Sequence, residues 1–476
     1  MSLLPFLSFP VHAQDPPAVD DPNIEEVESA EGLEESTETE GLPDLLPIMA
    51  DLEKLRGLKF KHTVVAAEQS LEAFRDEMLA ELDEMLPKDR RDDLVQGLLR
   101  FGMIDRAIDL ESELANLMMT QVAGYYDAET DRFFYLPIGL EDIEAVAAHE
   151  LVHALQDQHF DLAALTDKQI EMTLAPVRND DRSLAYGYVV EGEASFVEER
   201  YMALYYEPLF EGGPTAEKLY YKSNAEIEDS AAVILSHLNL DNLGEMAGGD
   251  EYLQAMEDAS KLPTYFIRPM MSQYTYGAYF IACVFHHGGW PAIDALYENL
   301  PRSTEQVLHP EKYLDESDEP TMISLHDSES LTKAGWKRVD AAAHGEFYMR
   351  LLLEQQGVTR FTAIVAAEGW DGDLYQAYRN PTGQTLITFV STWDTESDAA
   401  EFYHAYLSSF AKKYPGVTSL ATNTPTAVEF DSGKKELGWV RLTLRGREVI
   451  AVEGGSRELM NAVHNELIEQ KIQHTP

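Results

Sequence analysis

Ala145–Gln156 reads AVAAHELVHALQ, and the fold is read outward from it. The run holds no proline or glycine, and its apolar positions suit a buried helix. His149 and His153 are four residues apart, so on a helix they lie on one face, one turn apart. Two imidazoles so placed can bind one zinc ion, Zn2+. Glu150 stands beside them, placed to take the proton of a water that the metal activates. The competing reading is a surface helix with two unrelated histidines, and the apolar context argues against it.

Zinc needs a third protein ligand and, for catalysis, an open position. His159 follows His153 by six residues, the metzincin spacing, but Gln156 stands where metzincins have a glycine. On a continuing helix His159 turns about 240° from His153. Glu191, in Tyr188–Ala194 (YVVEGEA), has the gluzincin pattern of a glutamate on a second helix. Glu191 is favoured over Glu193 and His159. Asp157 and Ser195 are candidates to orient the ligands.

Composition bounds the rest. The chain has 476 residues and a net charge of -49, from 85 acidic and 36 basic side chains. That charge opposes nucleic-acid and anionic-membrane binding. The single cysteine, Cys283, excludes an intramolecular disulfide and any multi-cysteine zinc site. No apolar run is long enough to span a membrane. Residues 1–13 (MSLLPFLSFPVHA) read as a truncated signal peptide, which predicts export to the periplasm or beyond. Residues 14–50 carry twelve acidic and no basic side chains and read as a solvated linker. Residues 51–330 are expected to form the metal-binding domain, and 331–476, nearly neutral, a smaller α+β domain.

Within these, a strand is expected at 57–65 and helices at 70–86, 90–101 and 109–119. A hairpin is expected across 121–136, and helices dominate to about 300. Ser303 is predicted to cap a short helix, and Gly288-Gly289 to stop one. Beyond 330 the pattern alternates: helix 345–356, strands 374–378 and 385–393, helix 396–414, strands 440–444 and 448–453, helix 457–469. The expected class is α+β, mostly helical.

Several stretches together resemble exported bacterial and archaeal gluzincin-type metallopeptidase-like proteins. They are QVAGYYD (121–127), AHELVHALQDQHFDL (148–162), VEGEA (190–194), YTYGAYF (274–280), GGW (288–290), STEQVLHPEKY (303–313), GEF (345–347) and AAEGWDGDLY (366–375). The resemblance implies a zincin-like core with His149, His153 and Glu191 as zinc ligands and Glu150 as base. It implies a structural role for His159 beside the metal helix. A peptidase also needs a donor for the oxyanion. Tyr274, Tyr276 and His309, which lie in these stretches, are the candidates. The expected function is a zinc metallopeptidase acting on a peptide or protein. The alternative is a non-catalytic exported or envelope-associated binding protein with a structural zinc. The hairpin offers a strand against which an extended peptide could pair.

Overall fold

The structure, a computed structural model, describes residues 44–128, 130–136, 143–205, 262–315, 318–417 and 419–470. Residues 1–13, expected to be a signal peptide, and most of the acidic tract lie outside them. The last acidic-tract residues differ from expectation, because helix α1 (Leu45–Arg56) starts there. Asp44 caps it, accepting from Leu46 N, and Gly57 ends it at φ 80°. Leu45, Ile48, Met49 and Leu52, spaced i, i+3, i+4, i+7, bury one face.

The expected strand at 57–65 shrinks to β1 (Val65–Glu68). Upstream, the amides of Phe60, Lys61 and His62 bond to the side chains of Glu53 and Gln158 instead of a neighbouring strand. Helices α2 (Leu71–Met85), α3 (Lys88–Phe101) and α4 (Leu110–Gln121) follow as read. The hairpin forms as β2 (Gly124–Asp127) and β3 (Arg132–Tyr135). The small sheet runs β1-β3-β2, so β2 is an edge strand.

Helix α5 (Ile143–Phe160) carries the histidine motif. It leads into α6 (Leu162–Leu174), the two-residue strand β4 (Arg178–Asn179) and α7 (Asp180–Tyr205). Helix α8 (Thr264–Leu296) packs along α7. It breaks at Gly289 (φ 66°, ψ -159°) and resumes beyond it, so the glycine pair interrupts rather than ends the helix. Ser303 caps α9 (Thr304–Leu308), accepting from Gln306 N at 3.2 Å. Helices α10 (Pro310–Leu314) and α11 (Glu329–Lys333) are short.

The remaining elements are β5 (Lys337–Ala343), α12 (Gly345–Gln355), α13 (Arg360–Ala367), β6 (Trp370–Arg379), β7 (Thr385–Trp393), α14 (Glu396–Lys413), β8 (Thr422–Thr424), β9 (Ala427–Asp431), β10 (Trp439–Arg445), β11 (Glu448–Glu453) and α15 (Arg457–Glu469). The class is α+β. One sheet runs β4-β5-β6-β7-β11-β10-β9-β8. Alternate residues of β7 face opposite layers. Ile387 and Phe389 join the large core, while Leu386 and Val390 join the smaller one under α15. The composition shift near 330 is not a break in packing. Strand β4 pairs with β5, α3 lies on the sheet, and residues from both sides of 330 share the large core.

Candidate metal centre

Helix α5 is buried around its motif. Ala147, Ala148, Leu151, Val152, Ala154 and Leu155 are all within 1% of complete burial. It packs against α1, α7 and β2, so polar side chains at His149, Glu150 and His153 need partners inside the protein. The two imidazole rings lie 4.9 Å apart, centre to centre.

Glu191 reaches them because α7 and α8 approach very closely. A Cβ built on Gly192 would lie 2.3 Å from the Gly277 carbonyl carbon, so no larger residue fits without moving a helix. The two glycines explain the EGEA and TYGA stretches: each removes bulk beside a polar residue that the crossing brings inward. Glu191 Oε2 then lies 3.2 Å from His149 Nε2 and 3.6 Å from His153 Nε2. Both imidazoles thus point Nε2 at one carboxylate oxygen.

Their other nitrogens are held. His149 Nδ1 lies 3.0 Å from Glu198 Oε2, and His153 Nδ1 2.7 Å from Gln156 Oε1. Such contacts fix ring orientation and tautomer. Gln156 is itself anchored: its Nε2 donates to Val190 O at 2.9 Å and to Glu193 Oε2 at 3.1 Å. Glu193 pairs with Arg56, the last residue of α1, and accepts from Tyr297 OH. Arg56 also donates to Asp294 at 2.6 Å, and its guanidinium lies 4.7 Å from the Trp290 ring centre.

The donor set fits a zinc ion. Two imidazole nitrogens and one carboxylate oxygen converge, and His153 Nε2 is buried without a hydrogen bond. The electrostatics agree. Burial opposes a charged His149 ring, yet Glu191 and Glu198 outweigh it and push its pKa up to about 10. Burial would raise Glu191, but the two histidines hold it well below the usual carboxylate range. The site therefore calls for positive charge, which protons or a metal can supply.

Glu150 is 1% exposed, and its Oε2 accepts from the backbone amide of Tyr126 in β2 at 3.0 Å. The base candidate is thus tied to the edge strand. Tyr126 OH in turn donates to Asp131 at 3.0 Å and to Asp157 at 3.2 Å. Tyr274, on α8, sets its ring 5.8 Å from that of His149, tilted by 40°. Its hydroxyl is buried without a hydrogen bond. Burial, with Glu191 and Glu150 nearby, pushes this phenol well above its ordinary range, so it stays protonated.

Other expected residues fall elsewhere. His159 Nε2 contacts Lys59 O at 2.8 Å, away from the converging nitrogens. Glu193 is committed to Arg56, Gln156 and Tyr297. Asp157 bonds Tyr126 OH and Leu162 N, so Gln156 takes the role expected of it; Glu198 takes that expected of Ser195. His309 lies in a second buried network, with Nε2 3.0 Å from Glu346 Oε1, and Glu346 is paired to Arg350. Tyr276 OH accepts from Arg350 there at 3.4 Å.

Sequence reading missed Gln156, Glu198 and Arg56. Glu198 follows Glu191 by two helical turns, a weak signal that was available. Arg56 lies too far along the chain for any local signal.

Residues 331–464 match the family described as "Domain of unknown function (DUF8575)". No curated protein and no solved structure matches the chain.

Proposed function

We propose that this chain is a zinc-dependent hydrolase of gluzincin type, most concretely a metallopeptidase with a zincin-like core. The observation that carries the reading is the meeting of His149 Nε2 and His153 Nε2 at one oxygen of Glu191. His149, His153 and Glu191 would hold the metal. Bound zinc supplies a Lewis acid that polarises a carbonyl oxygen and lowers the pKa of water toward about 7. Glu150 accepts the proton on its carboxylate, oriented by the Tyr126 amide at Oε2, and returns it to the leaving amine. Tyr274 keeps its proton and offers the O–H to the developing oxyanion. The β2 edge, whose Tyr126 amide holds Glu150, is the strand along which an extended substrate would pair.

We also propose export, on the composition of the leader. Residues 51–330 carry a net -34, against -3 for 331–476, which favours cationic substrates.

The test is a peptide-library digest by wild type beside Glu150→Gln, with zinc measured by mass spectrometry. The expected result is near-stoichiometric zinc in both and cleavage by wild type alone. Zinc without cleavage in wild type supports the structural-zinc alternative. Absence of zinc, unchanged by His149→Ala, rejects both.

A further inference from the structure

A cavity of about 250 Å³ lies where β4, β6 and the 320–325 segment meet, and it shares no residue with the metal centre. Its walls include Val177, Met322, Trp370 and Leu374, and two carboxylates, Asp181 and Asp373, reach it. Both are only 2% exposed.

The charges around the cavity are unevenly matched. Its two guanidiniums are already paired: Arg178 with Asp180 and Asp340, Arg302 with Glu319 at 2.8 Å. The carboxylates meet neutral donors. Asp373 accepts from the amides of His344 (3.1 Å) and Gly345 (2.8 Å) and from Trp370 Nε1 (3.0 Å). The His344 ring lies 3.8 Å from Asp373 and hydrogen-bonds through neither nitrogen. Asp181 Oδ1 accepts from Thr304 N at 2.8 Å and Oγ1 at 2.6 Å. Asp181 Oδ2 has no hydrogen-bond partner among the described residues. Asp181 Oδ2 is thus left on the cavity wall, free to meet a ligand.

We propose that this cavity binds a small organic ammonium, a primary amine on an apolar stem, with Asp181 Oδ2 accepting from the amine. An anion would meet Asp181 and Asp373 with both nearby guanidiniums already paired, and a neutral ligand could not draw Asp181 into its charged form. Met322 and Leu374 cover the stem, and Trp370 adds an aromatic wall that favours a cation. The volume lies below the roughly 300–1,000 Å³ usual for drug-sized ligands, so the guest is small.

The same geometry predicts a proton signature. Burial raises the Asp181 pKa, the Thr304 bonds lower it, and Asp373 and Glu346 raise it again, to about 8. Without ligand, Asp181 is therefore largely protonated at pH 7. An ammonium draws out the charged form, so binding releases a proton and tightens as pH rises through 8.

The experiment is calorimetric titration of the full chain at pH 7 in two buffers of different ionisation enthalpy. The probes are n-hexylammonium, 1-hexanol and acetyl-lysine methylamide. Expected are one hexylammonium per chain, close to one proton released, and at least tenfold weaker binding of hexanol. Asp181→Asn should weaken hexylammonium at least tenfold. Comparable binding of the lysine derivative identifies a peptide-borne amine as the source; its exclusion identifies a free one. Equal affinity for hexanol and hexylammonium, undiminished affinity in Asp181→Asn, or no saturable binding overturns the proposal. If Asp181→Asn does not fold, Ala343→Leu fills the cavity and leaves Asp181 in place; retained binding there overturns it equally.

Discussion

Gln156 does for His153 what Glu198 does for His149: each takes the Nδ1 side and leaves Nε2 aimed at Glu191. Gln156→Leu should lower zinc affinity about 10–100-fold, read by competition with a chelating dye, while circular dichroism stays native. Unchanged affinity would show that the Gln156 contact orients nothing. If Glu150 moves the proton and lies outside the ligand set, as proposed, Glu150→Gln should cut hydrolysis by about 10²–10⁴ and leave zinc stoichiometry intact. Activity surviving the change would remove Glu150 as base. At this scale the motif itself was legible, because the i, i+4 spacing of two histidines has a direct geometric meaning. Gln156 was not. It sits three residues after His153, where any polar side chain is unremarkable, and its role depends on Val190 and Glu193 on another helix.

Among elements, the crossing of α7 and α8 decides the most. Gly192→Ala places a methyl group 2.3 Å from the Gly277 carbonyl carbon. Overpacking of this kind costs about 1–3 kcal/mol, and the displaced helix should carry Glu191 away from the imidazoles. The expected outcome is a lower Tm together with weaker zinc binding; a lower Tm with normal zinc affinity would separate the crossing from the site. Helices α2, α3 and α4 were readable from their amphipathic spacing, and β7, β11 and α15 fell on the expected residues. Helix α1 was hidden because its first residues close an acidic tract whose composition outweighed a four-residue apolar stripe. Strand β5, with the sequence KRVDAAA, has few β-prone residues and is a strand because β4 and β6 flank it.

Across the whole molecule, acid sensitivity has a source outside the metal centre. His464 on α15 is fully buried, contacts Thr443 Oγ1 at 2.9 Å, and has its pKa lowered to about 4 by burial and by Arg441. The unfolded chain binds a proton near pH 6.5 that the folded chain refuses until about 4. Stability from this group is therefore complete above 6.5 and falls as pH drops toward 4, by on the order of 3 kcal/mol. His464→Gln should flatten that fall in urea denaturation at pH 7 and pH 5. An equal fall in both proteins would place the acid sensitivity elsewhere.

The sequence by itself located the paired histidines, the glutamate beside them, the glutamate on a second helix and most of the regular elements. These follow from local periodicity and from spacing within one helix, which a chain expresses without its neighbours. Only the tertiary structure decided which atoms meet. Arg56 reaches Glu193 across 137 residues, Tyr126 of strand β2 donates to Glu150 of helix α5, and Asp181 lies beside Asp373 in one cavity. Such pairings arise when whole elements pack, and the composition boundary near 330 has no counterpart there because β4 and α3 join the sheet in one shared core.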